Sequence, residues 1–132
     1  MKLDALKGYY LDGGYNCAES VLRTANEEFG LGLDEKALRT AGGFGGGMGC
    51  GNACGALCGA IQALSAAMLD GRAHDCPGFR EKCAGYTRAF EEALGSTQCR
   101  ELGPMHKQAE TRCYPVVEKA YELLCKMLEE GK

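Results

Sequence analysis

Apolar side chains recur along this chain at helical spacing, and nowhere with the clean two-residue alternation of a strand. Across residues 15–29, Ala18, Val21, Leu22, Ala25 and Phe29 share one helical face, and Gly30 follows as a stop. The pattern repeats over 77–94, where Phe79, Cys83, Tyr86, Phe90 and Leu94 precede Gly95. It returns over 113–130, where Val116, Val117, Ala120, Leu124 and Leu128 precede Gly131. The stretch ACGALCGAIQALSAAMLDG is apolar on most sides, which predicts a buried central helix ending near Gly71. MKLDALKGYYL and LDEKALRTA predict two shorter helices. Such segments joined by short loops predict an all-α fold. The expected architecture is one domain over 1–132, a compact helical bundle of about five to seven helices with a glycine-rich loop before its buried central helix.

Composition narrows the class. A chain of 132 residues with 45% apolar content supports one proper core and does not comfortably divide into two. Fifteen Lys and Arg stand against 18 Asp and Glu, and no basic run is present to follow a phosphate backbone. This argues against a nucleic-acid partner. The start, MKLDALKGYYLDGG, mixes charges into its first turns and lacks the pattern of a signal peptide. Gln62 and Ser65 interrupt the longest apolar stretch, which is too short for a membrane span. The expectation is a cytoplasmic chain with no membrane insertion.

Nine cysteines change the picture most. An odd number excludes complete pairing within one chain, and in a reducing compartment such an excess points to metal binding or thiol chemistry. Their placement is not random. Asn16 with Glu19 reads as a capping box that sets Cys17 in the first turn of its helix. Asn52, Ser96 and Thr111 are candidate caps that would set Cys54, Cys99 and Cys113 at three further helix starts, and Cys76 stands just before Pro77 at a fifth. A helix start offers unpaired N–H groups and the positive end of the backbone dipole. Both favour a thiolate and lower its pKa, and they equally favour an anionic cluster. Convergence of such ends would assemble a four-thiolate site without any CxxC spacing. Cys58, Cys83 and Cys125 fall on helix interiors, where free cysteine packs as a small hydrophobe.

The run GGFGGGMGCG carries too little side chain to build a core. Its glycines accept positive φ and can turn N–H groups toward sulfide or thiolate, making Gly47, Gly49, Gly51 and Gly55 candidate cofactor-binding positions. A hinge or tight packing loop is the plainer reading. Gly51, Gly55 and Gly59 would also form a bare stripe on a continuous helix, serving either an internal contact or a close two-fold contact in a homodimer. No window fits a nucleotide-binding GxGxxG or Walker pattern. His74 and His106 lie in polar sequence and read as solvated groups, and the six tyrosines read mostly as packing. Met48 places a thioether inside the glycine loop, where it would lie near thiolates.

CGALCG, preceded by YNCAESVL and followed by GSTQCREL and TRCYPVVEKA, resembles the redox-active family labelled by its C_GCAxxG_C_C motif, over residues 15–120. The resemblance implies a small redox-active protein with four characteristic cysteines, here Cys17, Cys54, Cys99 and Cys113. It extends to the split-Soret type of cytochrome, in which such a domain holds a non-haem iron–sulfur centre. An iron–sulfur cluster of the two-iron or four-iron kind, serving electron transfer with a redox donor or acceptor protein, is therefore the implied cofactor. Covalent haem is not implied, because no CxxCH occurs. Cys50, Cys58 and Cys76 depart from the four-cysteine pattern and are the lesser ligand candidates. Three other readings use the same residues: a zinc site of four thiolates, a metal-free thiol–disulfide oxidoreductase using a low-pKa Cys17 or Cys54, and a helical interaction module.

Overall fold

Asn16 opens the helix that the 15–29 pattern predicts. Its side chain accepts from the Glu19 N–H at 3.0 Å, and the Glu19 carboxylate accepts from the Asn16 N–H at 3.0 Å, closing the expected capping box. The helix, α2, runs Cys17–Phe29 and stops where Gly30 takes a left-handed conformation, φ 59°. The computed structural model describes residues 1–130. Ahead of α2 lies α1 (Leu3–Lys7), continued by a wider turn over Gly8–Asp12, and after it comes the short α3 (Glu35–Arg39). The chain then passes through the glycine-rich segment into α4 (Gly55–Met68), α5 (Phe79–Leu94), α6 (Cys99–His106) and α7 (Tyr114–Glu130). These seven α-helices, with no strand among the described residues, agree with the predicted all-α class. Gly131, the expected stop of α7, lies outside the described residues.

The predicted central helix is central, but it starts later than the glycine spacing suggests. Gly51 is outside it with φ 79°, so the stripe of Gly51, Gly55 and Gly59 reduces to the last two. Both face α2 of the same chain. A Cβ on Gly59 would stand 2.5 Å from the Ala18 carbonyl oxygen, and one on Gly55 would strike the Cys17 sulfur and come within 2.8 Å of the Phe44 carbonyl. The two backbones approach this closely because neither glycine carries a side chain. α7 covers another side of α4, and α5 packs on both. Tyr86, Phe90 and Tyr121 are fully buried between them, each contributing about 1.5–3 kcal/mol through apolar burial. The Tyr86 hydroxyl donates to the Ala120 carbonyl at 2.6 Å, which removes the cost of an unpaired polar group at the centre.

Between α3 and α4 the glycines form a left-handed turn. Gly46, Gly47, Met48 and Gly49 all have φ between 60° and 73°. A run of this kind is closed to most side chains, and Met48 is the one non-glycine within it. Met48 is 46% exposed. The turn folds back on the start of α6, where a Cβ on Gly47 would meet Cys99 Cβ at 2.7 Å.

Candidate functional site

Four helices begin with, or immediately after, a cysteine. Cys17 is the first residue of α2 and Cys99 the first of α6. Cys54 directly precedes α4, and its carbonyl accepts the Cys58 N–H at 3.0 Å. Cys113 directly precedes α7, its carbonyl accepting from Val116 and Val117 at 2.9 and 3.1 Å. Three expected caps are corrected, because the helices start later and the cysteine itself takes the capping position in two of them. Asn52 does not cap α4; its side chain accepts from Arg100 at 2.6 Å. The Thr111 hydroxyl donates to Gln108 at 3.0 Å and not to α7. Ser96 stands before the Gln98 cap of α6, accepting from the Gln98 N–H at 3.0 Å and donating to Glu101 at 2.7 Å.

These helix starts place the four thiols within electrostatic reach of one another. Charge at Cys17 is opposed by charge at Cys99 and Cys113, charge at Cys54 by Cys17 and Cys99, and charge at Cys113 by Cys99. Cys17, Cys99 and Cys113 share the lining of a cavity of about 540 Å³, together with Tyr10, Lys107 and Arg112. Cys54 is buried beside Cys17 and Cys99, only 6% exposed. Among the described residues, no three His, Cys, Asp or Glu side chains converge tightly enough to hold a single metal ion as they stand.

Backbone N–H groups are directed at two of the sulfurs. Those of Gly46 and Ala18 serve Cys17, and those of Ala56 and Leu57 serve Cys54. Burial nevertheless wins. It pushes the Cys17 thiol up, and it pushes Cys54 up to about 12, with the neighbouring cysteines adding to the rise. Burial likewise raises Cys113, against the lowering influence of Lys107 and Arg112. The expectation of a low-pKa Cys17 or Cys54 is therefore corrected: removal from water outweighs the helix start.

The candidate glycines divide. Gly47 abuts Cys99 and Gly55 abuts the Cys17 sulfur, as positions that shape the site. Gly49 faces open space and Gly51 faces Arg100, so neither meets a thiol. Gly46, overlooked among so many glycines, is the one whose N–H reaches Cys17. The lesser ligand candidates also separate from the four. Cys50 is exposed, with its thiol directed at the Gly47 carbonyl 3.6 Å away. Cys58 lies within α4, its thiol raised by burial alone. Cys76 is not at a helix start, since α5 begins at Phe79 behind Gly78, and its thiol faces the Met68 carbonyl at 3.8 Å. His106 is not a solvated loop residue; it ends α6 and pairs with the Leu94 carbonyl at 2.7 Å.

Tyr10 is the site residue that periodicity could not reveal. It is 8% exposed and lies 103 residues before Cys113, whose N–H donates to its hydroxyl at 3.3 Å. The Arg112 guanidinium stacks over its ring at 4.8 Å and donates to its carbonyl at 2.7 Å.

Residues 15–127 match the family model described as "Putative redox-active protein (C_GCAxxG_C_C)". No curated protein and no solved structure matches the chain. Among the described residues, no helix is long and apolar enough to cross a membrane.

Proposed function

The chain belongs to the redox-active family defined by the C_GCAxxG_C_C motif, and from that premise we propose that it is an electron carrier holding an iron–sulfur cluster on Cys17, Cys54, Cys99 and Cys113. The observation that carries this reading is the gathering of four thiols from four helix starts, three of them lining one cavity and Cys54 buried beside Cys17 and Cys99. An iron–sulfur cluster in such a site supplies one-electron exchange.

The residues present suit that group. All four donors are soft sulfur, and N–H groups of Gly46, Ala18, Ala56 and Leu57 are already aimed at two of them. The raised thiols favour metal-linked over metal-free chemistry, since a neutral buried thiol is a poor nucleophile but binds a metal as thiolate, releasing its proton to solvent. A reducing cytoplasm, where nine free thiols persist, is the compartment this chemistry suits. A protein donor and a protein acceptor would be its partners.

Anaerobic purification with iron, acid-labile sulfide and zinc analysis and a visible spectrum tests the proposal. Iron with matching sulfide is expected in the parent chain and in Cys76→Ser, and its loss in Cys54→Ser. Metal-free parent protein that forms disulfides reversibly would overturn the cluster reading in favour of thiol exchange.

A further inference from the structure

The Tyr10 hydroxyl accepts one hydrogen bond and has its proton unspent. It accepts from the Cys113 N–H at 3.3 Å, while the Arg112 guanidinium lies over the ring and donates to the Tyr10 carbonyl at 2.7 Å. Among the described residues nothing accepts the hydroxyl proton in turn. The hydroxyl belongs to a nearly buried side chain that lines the cavity shared by Cys17, Cys99 and Cys113. An O–H that lines a cavity with no protein acceptor can donate to what the cavity holds, and the donor already bonded to its oxygen polarises it further.

Its position is held from two sides. Gln108 and Arg112 exchange backbone hydrogen bonds, each 2.8 Å, closing a small turn in which Arg112 adopts φ 54°. That left-handed conformation is unusual for a side chain as large as arginine. It lets one residue stack on the Tyr10 ring and bond the Tyr10 carbonyl while its neighbour, Cys113, presents its N–H to the hydroxyl. Two segments a hundred residues apart are thereby locked to one phenol.

We propose that the Tyr10 hydroxyl donates a hydrogen bond to an anionic sulfur held at the Cys17 and Cys113 side of the cavity, and so acts as a positioning and tuning residue for that site. The inference rests on the reading of these cysteines as the working thiols. The sulfur belongs to a bound cluster if iron is present, and to a cysteine thiolate if it is not. A hydrogen bond to sulfur favours the more negative state, which in a cluster is the reduced one.

Tyr10→Phe is the direct test, because it keeps the ring under Arg112 and removes only the hydroxyl. In iron-loaded protein the variant is expected to retain iron and sulfide while its one-electron equilibrium shifts roughly tenfold toward the oxidised form, about 59 mV lower in midpoint. In metal-free reduced protein, alkylation of Cys113 by iodoacetamide at fixed pH is expected to slow several-fold. Tyr114→Phe, whose hydroxyl points at the Leu3 carbonyl, is expected to change neither. Should Tyr10→Phe fail to fold, a fluorinated tyrosine placed at position 10 strengthens the donor and is expected to move the midpoint upward and the alkylation rate up. Unchanged midpoint and alkylation in a folded variant would overturn the inference. Absence of iron in the parent chain overturns the cluster proposal alone, and the alkylation rate then decides the role of Tyr10.

Discussion

Cys54 and Cys99 are each bonded through the backbone to the segment that flanks the other, and not through their sulfurs. The Cys54 N–H donates to the Thr97 carbonyl at 2.8 Å and the Cys99 N–H to the Asn52 carbonyl at 2.8 Å, an isolated antiparallel bridge centred on Ala53 and Gln98. The starts of α4 and α6 are thus held together whatever their side chains carry. Main-chain bonds of this kind survive replacement of the thiol, so chemistry and fold are separable at position 54. Cys54→Ala is expected to lose bound iron and sulfide while costing about 1 kcal/mol of stability in the metal-free chain. Metal analysis beside urea denaturation reads both. Retention of the full iron content would remove Cys54 from the ligand set.

Gly55 is where α4, α2 and the glycine segment meet. An added methyl would strike the Cys17 sulfur and the Phe44 carbonyl, whereas a methyl on Gly43 would meet nothing within 4 Å. Gly55→Ala is expected to destabilise the metal-free chain by about 1–3 kcal/mol and to displace Cys17, lowering iron content. Gly59→Ala, pressed on the Ala18 carbonyl, is expected to lose similar stability with iron per folded molecule unchanged. Gly43→Ala is expected to be silent in both. Equal iron loss in Gly55→Ala and Gly59→Ala would show that the contact with Cys17 has no special role.

Much of this arrangement was legible in the chain. Periodicity located the longer helices, and Asn16 with Glu19 announced a capping box that does form. The glycine run resisted reading for a physical reason: a side chain reports which way its backbone faces, and glycine has none. Nothing local showed that the run would turn left-handed, that α4 would wait until Gly55, or that Cys54 would be its cap. Bridges between distant segments, such as Ala53 with Gln98 and Tyr10 with Cys113, leave no periodic trace either. Five cysteines read as helix starts from their neighbours; four stand there, only Cys17 by the expected cap, and Cys76 does not. Their thiol acidity could not be read, because it depends on burial that only the packed structure supplies.

Asn16 anchors Cys17 in two ways. Its side chain caps α2 through the Glu19 N–H, and its amide donates to the Gly42 carbonyl at 3.0 Å, tying the glycine segment to the same helix start. Asn16→Ala is expected to cost about 1 kcal/mol in the metal-free chain. Asn16→Asp keeps the cap and gives up the amide donor, so it should recover most of that loss. Urea denaturation of the three proteins checks the order, and an Asn16→Asp protein no more stable than Asn16→Ala would assign the effect to the Gly42 contact.

Exposure ranks the cysteines for attack by a bulky thiol reagent. Cys50 is exposed on the glycine segment, while Cys54 and Cys125 are 6% and 2% exposed and have thiols pushed up to about 12. In the folded, metal-free, reduced chain, timed alkylation followed by peptide mass spectrometry is expected to mark Cys50 first and these two last. Early modification of Cys54 would mean that the α4 start opens readily.

The same raised thiols set the direction of the metal-free chain's pH dependence. Cys17, Cys54 and Cys113 are all raised in the folded state, Cys54 to about 12. Below the ordinary cysteine pKa of about 8.5 these groups are protonated folded or unfolded, and their contribution to stability is fully present. Above it the unfolded chain loses their protons while the folded chain still holds them, so the unfolded state gains. Thermal unfolding under reducing conditions should therefore move to lower temperature as pH rises from about 8.5 toward 12. Titration of other groups is expected to contribute to the same curve, and Cys54→Ala isolates this cause by flattening it. A curve equally steep in Cys54→Ala would locate the alkaline loss of stability away from the cysteine site.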